Sequence, residues 1–212
     1  MVNGRNRARI GRKLRMSEDR AVPSQDLAYT YRPSLLGAPY EFRLGAQGLE
    51  WLVGRKAGRV LCGDVTRVRL SFRPANLQSR RFVTEIWAAG TPKLVIMSSS
   101  WKSMVVQERL DQPYAVFVAS LHRRLAQVQN RARFEQGTSP LQYWPGLAVF
   151  IVTSVALAIL IARSLQQGAT VGALFIAALF ALFLWRGGDY FRRNRPRLYS
   201  VDALPADLMP PA

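Results

Sequence analysis

The chain has 212 residues, with 30 Lys and Arg against 13 Asp and Glu, one His and one Cys, for a formal net charge of +17. A single cysteine, Cys62, excludes an internal disulfide and any Cys/His metal spacing, which suits a reducing compartment. No P-loop, GxGxxG, GxSxG or HExxH occurs, so no cofactor, no metal and no enzymatic activity is expected.

Residues 1–28 hold Arg5, Arg7, Arg9, Arg12, Lys13, Arg15 and Arg20 with few large apolar side chains. Such a segment buries too little surface to offset its ordering entropy, and a disordered basic arm is expected. It also lacks an apolar h-region, so no cleavable signal peptide is expected there.

From 34 to 135 the periodicity is mainly two. Tyr40, Phe42 and Leu44 alternate with Glu41 and Arg43, and Gly45-Ala46-Gln47-Gly48 reads as a turn before Leu49, Trp51 and Val53. A third extended piece surrounds Val60 and Leu61. The clearest strand is Arg67 to Arg73, with Val68, Leu70 and Phe72 on one face and Arg67, Arg69, Ser71 and Arg73 on the other. Arg81 to Ala88 and Lys93 to Met97 flank a Gly90-Thr91-Pro92 turn, and a short strand is expected at Ser103 to Gln107. The period then becomes helical. Tyr114, Phe117, Val118, Leu121, Leu125 and Val128 share one face of a helix running from Pro113 to about Phe134, with Asp111 or Gln112 as its cap.

Trp144 to Trp185 then runs 42 residues with one charge, Arg163. As a single helix it would extend roughly 63 Å, about twice a ~30 Å hydrocarbon core, so two spans are expected, at 144–162 and 169–185. Arg163, Ser164, Gln166, Gln167 and Gly168 supply the turn. Tyr143, Trp144 and Trp185 sit at headgroup level. Arg124, Arg131 and Arg133 precede the first span, and Arg186, Arg192, Arg193, Arg195 and Arg197 follow the second. This bias places both termini in the cytoplasm of a multi-pass inner-membrane protein. Four-residue spacing of small residues, Ser154, Ala158 and Ala162 in one span and Ala169, Ala173, Ala177 and Ala181 in the other, marks a ridge that packs the hairpin or joins neighbouring copies. Residues 190–212, Arg-rich then Pro-rich, read as a tail along the membrane.

The order of strands closed by one C-terminal helix resembles a pleckstrin-homology-like (PH-like) domain over 34–135. Gly48-Leu49-Glu50-Trp51 on the second strand, the Val65–Phe72 segment and the helix Tyr114 to Leu125 carry the likeness, which is nearest to bacterial PH-like domains of membrane proteins. It implies an α+β fold: a small antiparallel β-barrel capped by one helix, here followed by a transmembrane hairpin. Lipid-binding relatives place basic residues in the loop between the first two strands. Here that loop, Gly45 to Gly48, has none, so specific phosphoinositide recognition is not implied.

The basic groups nearest an anionic leaflet are expected at the next turn, Arg55, Lys56 and Arg59, and on the face of Arg67, Arg69 and Arg73, each Arg contributing about 1 kcal/mol to non-specific lipid attraction. The lone His122, beside Arg123 and Arg124, reads as a surface residue. Asp64, Glu85 and Glu108 read as isolated surface carboxylates. No RNP-like motif, helix-turn-helix or zinc finger accompanies the charge, so the expected partner is the membrane and not nucleic acid. The sequence reading is therefore a non-catalytic binding or scaffolding module on anionic lipid. Its alternative is an accessory subunit of a larger membrane complex, with a protein partner or a second copy docked on the Ala ridges.

Overall fold

A computed structural model describes residues 26–46, 48–74, 80–103, 106–128 and 131–210. The expected basic arm lies outside these except at its end, where Leu27 and Ala28 open the first strand.

The period-two stretches form an antiparallel meander of β1 (Leu27–Tyr31), β2 (Tyr40–Leu44), β3 (Gly48–Val53) and β4 (Lys56–Leu61). Register sets Phe42 opposite Trp51 and Leu44 opposite Leu49, and the Gly45 N–H donates to the Gly48 carbonyl across the turn. After a 3-10 turn at Cys62–Asp64 the chain begins a second sheet from β5 (Val65–Phe72), β6 (Phe82–Ala88) and β7 (Leu94–Met97). A small ribbon follows, β8 (Ser99–Trp101) with β9 (Gln107–Arg109). The single strand expected over Ser103–Gln107 is thus replaced by two shorter ones on either side, its positions 104 and 105 lying outside the described residues.

Helix α1 (Asp111–Gln127) buries Tyr114, Phe117, Val118, Leu121, His122 and Leu125 against both sheets. Its N-cap is Leu110, without a side-chain cap bond, so Asp111 is the first helical residue and not the cap. The helix ends seven residues before Phe134. Val128, read as part of its face, is past the last turn and 51% exposed.

Phe134 belongs instead to β10 (Arg133–Gln136), which pairs parallel with β5, Phe134 opposite Val68. Inward Phe42, Leu49, Val68, Leu70, Phe82, Ile86 and Ile96 join the helix face in one core. Burying each such side chain is worth about 1.5–3 kcal/mol relative to exposure.

The closed barrel expected from the sequence is not found. The 3-10 turn breaks the ladder between β4 and β5, and the sheets remain separate. Where β1 approaches β7, tyrosine hydroxyls substitute for strand pairing: Tyr29 donates to the Met97 carbonyl and Tyr31 to the Val95 carbonyl. The architecture is α+β, with largely antiparallel sheets, α1, and two long apolar helices, α2 (Pro140–Gln166) and α3 (Thr170–Arg193).

The larger departure follows α3. Residues read as a membrane tail instead return to the domain. Arg197–Leu198 forms β11, antiparallel to β10, with Gln136 opposite Arg197 and Glu135 opposite Leu198. The sheet order is thus β11-β10-β5-β6-β7. Beyond it, Leu208 is 0% exposed, and Tyr199, Val201, Leu204 and Met209 pack on the core. These apolar residues, spaced one to four apart, complete a hydrophobic surface that residues 26–136 leave open. The hairpin is accordingly the connection between two neighbouring strands.

The returning segment also removes His122 from the surface where the sequence reading put it. The ring is 1% exposed. Its Nδ1 lies 2.8 Å from the Val118 carbonyl, so Nδ1 donates there, and neutral Nε2 accepts from the Tyr199 hydroxyl at 2.7 Å. Burial pushes its pKa below the ordinary value near 6.5, against a smaller upward pull from the Val118 carbonyl. The unfolded chain then binds a proton more readily than the folded one once pH falls below ~6.5. Stability is full above that value and is lost on acidification towards the folded pKa, by up to about 1.4 kcal/mol per pH unit. Thermal unfolding of the intact protein in detergent is expected at lower temperature at pH 5.5 than at pH 7.5, with a shallower dependence in His122→Gln. Equal slopes in the two proteins would exclude this linkage.

Candidate membrane-facing surface

By length and composition α2 and α3 can each cross a bilayer. At about 1.5 Å per residue their 27 and 24 residues extend about 40 and 36 Å, more than a ~30 Å hydrocarbon core. α2 outruns the expected 144–162 at both ends and α3 the expected 169–185 at its C-terminal end, and Arg163, Ser164 and Gln166 belong to the last turn of α2. The chain reverses over 167–169. No residue in the most apolar window of α2 is buried. Val152, Val171, Leu174 and Phe175 are each at least 67% exposed, the opposite of a soluble core helix.

The helices meet along a seam of Tyr143, Leu147, Phe150, Ser154, Leu157 and Ile161 on α2, facing Ala173, Ala177, Phe180, Phe183 and Gly187 on α3. Steps of three and four mix on both helices, averaging near 3.5, the repeat that keeps two helices in register. A strict four-residue ridge drifts about 40° per step around the helix. Of the predicted packing residues, Ser154, Ala173 and Ala177 therefore lie in the seam, whereas Ala158, Ala162, Ala169 and Ala181 are exposed. Gly187 permits the closest approach: a β-carbon there would stand 2.1 Å from the Phe150 ring.

At its base the hairpin is fixed to the sheet. β10 ends at Gln136, leaving the β5 edge without a strand at Phe72. Asn194, the C-cap of α3 and 0% exposed, supplies the missing partner. Its Oδ1 accepts from the Phe72 N–H at 3.0 Å and its Nδ2 donates to the Phe72 carbonyl at 2.7 Å, the pair of bonds a neighbouring strand would make. Nδ2 also donates to the Tyr190 carbonyl, and the Thr138 N–H donates to the Asn194 carbonyl. Gly137 completes the joint. Its φ is +80°, and a β-carbon would sit 2.3 Å from the Asn194 carbonyl oxygen, so only glycine fits.

The basic groups singled out in the sequence separate into two sets. Arg55, Lys56 and Arg59 are exposed at the β3–β4 turn and on β4. Arg67, Arg69 and Arg73 are not a free cationic face. The Arg67 guanidinium stacks 3.9 Å from the Trp87 ring centroid. Arg69 is paired with Glu135, and Arg73 with Glu85 at 3.1 Å. Glu85, read as a surface charge, is 2% exposed and also takes Lys93 at 3.1 Å. The carboxylates come from other strands: Glu85 from β6, 12 positions from Arg73, and Glu135 from β10, 66 positions from Arg69. The signal was the period-two spacing that puts Glu85 on the outer face of its strand.

Among the described residues no cluster of three or more His, Cys, Asp or Glu is arranged to hold a metal ion. Cys62 is buried, and burial raises its thiol pKa, which disfavours the thiolate. No family model, curated protein or solved structure matches the chain.

Proposed function

We propose that the chain is a multi-pass inner-membrane protein whose PH-like domain, on the cytoplasmic side with both termini, acts as a non-catalytic binding or scaffolding module against anionic lipid. The observation that carries this reading is the insertion of an unburied apolar hairpin between adjacent strands β10 and β11, which sets the domain at the bilayer surface. Two further features support it. Arg186, Arg192, Arg193, Arg195 and Arg197 crowd the domain end of the hairpin while Arg163 stands alone at the other, the asymmetry of a cytoplasmic base. Trp144 and Trp185, both exposed, lie at the level where indole rings favour the interface.

Topology is tested in the intact protein, whose only native cysteine is buried. A cysteine at Gln167 should react with an impermeant maleimide from the far side of the membrane, and one at exposed Arg195 only from the cytoplasmic side. Cytoplasmic labelling of Gln167→Cys would reverse the reading. The outward Ala158, Ala162, Ala169 and Ala181 favour a second reading, an accessory subunit of a larger complex, because small residues admit a neighbouring helix. Crosslinking of Ala158→Cys to a different polypeptide in native membranes selects it.

A further inference from the structure

Where the hairpin joins the sheet there is a cavity of about 220 Å³, lined by Arg69, Arg133, Glu135, Thr138, Pro140 and Arg197 among others. Its charge is unbalanced. Three guanidinium groups face it with one carboxylate, and Glu135 is already shared: Arg69 Nε approaches it at 3.0 Å and Arg133 Nε at 3.0 Å. Arg197 is exposed and forms no ion pair among the described residues. The amino terminus of α2 opens beside it, and its N-cap Ser139 makes no side-chain cap bond, which leaves the positive end of that 27-residue helix uncompensated.

Position identifies the ligand class. Pro140 precedes Trp144 by four residues, about 6 Å along the helix, and the polar zone outside the hydrocarbon core is about 5–7 Å deep on each side. With Trp144 at the interface, the cavity mouth lies at headgroup depth. Its volume is below the ~300–1,000 Å³ of pockets that engulf a whole ligand, and fits a phosphate group whose acyl chains stay in the bilayer. Arginine forks match phosphate oxygens in geometry and charge.

We infer that this cavity binds the phosphate of an anionic phospholipid, with Arg133 and Arg197 as the clamping groups and Arg69 held behind them by Glu135. The site shares Arg69 with one of the basic surfaces expected from the sequence but is centred on Arg133 and Arg197, which belong to neither, and it rests on the membrane reading above. Glu135 acts as a positioning residue: it orients two of the three arginines while leaving a net positive cavity.

The test uses the full chain extracted in mild detergent from vesicles of equal phosphatidylcholine and phosphatidylglycerol, with retained lipid counted by mass spectrometry. The unaltered protein should retain phosphatidylglycerol in preference. Arg133→Gln with Arg197→Gln should lower that preference at least about tenfold, since each arginine near the headgroups is worth about fivefold. Removing the same charge at Arg32 and Arg123, both exposed and outside the lining of the cavity, should change it less than about twofold. Arg197→Lys, which keeps the charge, should retain most of the preference, so loss through misfolding is separable from loss of the clamp. Undiminished preference in the double glutamine variant would overturn the assignment. Displacement of phosphatidylglycerol by millimolar inorganic phosphate would also overturn it, in favour of a soluble phosphate ligand. Failure of the underlying membrane reading looks different: the unaltered chain would then leave membranes on alkaline carbonate washing, which loss of the clamp alone does not cause.

Discussion

A chain in which residues 137–196 are replaced by Asn-Gly should fold as a water-soluble domain, whereas one ended at Gln136 should not fold cooperatively. The basis is the antiparallel pair Gln136 and Arg197, which leaves the strand ends positioned for a two-residue turn. Asn-Gly takes the type I′ conformation that matches strand twist. The splice removes the exposed apolar helices but retains Tyr199, Val201, Leu204, Leu208 and Met209. Ending at Gln136 removes those residues too. Truncating a single buried leucine to alanine typically costs about 2–5 kcal/mol, and here a fully buried Leu208 disappears with its neighbours. Against a typical total stability of about 5–15 kcal/mol, that loss is enough to open the domain. Detergent-free solubility, a single thermal transition and a near-ultraviolet dichroism signal are the measurements. A spliced chain that precipitates, or a Gln136-ended chain with the same transition, would refute the account of the tail as core.

Asn194→Ala is expected to destabilise the intact protein by about 2–4 kcal/mol. The substitution strands the Phe72 N–H and carbonyl, and each buried polar group left unpaired costs about 1–3 kcal/mol. Asn194→Asp keeps an acceptor for the N–H but sets a carboxylate against the carbonyl, and should not rescue. Arg195→Ala, one residue on and exposed, should change stability by less than about 0.5 kcal/mol. Denaturant unfolding in detergent gives the energies. Hydrogen exchange at the Phe72 amide reports the joint directly, since that amide should lose protection in Asn194→Ala and keep it in Arg195→Ala. Retained protection in the alanine variant would show that another group fills the edge.

These expectations rest on contacts that the sequence conceals to different degrees. The apolar run 144–185 was plain, because one Arg in 42 residues leaves few alternatives. The inward faces of β5 and α1 were also readable, since each is a local periodicity that burial enforces. Asn194 with Phe72, and His122 with Tyr199, are 122 and 77 positions apart. No local pattern announces pairs of that kind. β11 has two residues, too few to show alternation, and its Arg- and Pro-rich surroundings read as solvated chain. The apolar positions from Tyr199 to Met209 were the available signal, and they were outweighed by composition. The face of Arg67, Arg69 and Arg73 was legible as geometry but not in its partners, because Arg69 and Arg73 meet carboxylates on other strands and Arg67 stacks on Trp87. The expected barrel followed from element order, which does not specify whether β4 and β5 continue one ladder.

On the proposed topology, the placement of the hairpin also dictates an order of manufacture. A chain is synthesised from its N-terminus, so residues 26–136 are made first, with their core still lacking Leu208 and its neighbours. Those residues follow α3 and rejoin the domain only if the second helix has brought the chain back to its starting side. If α3 failed to insert, or stopped across the membrane in the wrong sense, Leu208 would be separated from its socket by the bilayer. On that topology, completion of the core is conditional on correct insertion, and a chain with a misthreaded hairpin exposes an unfinished domain to proteolysis.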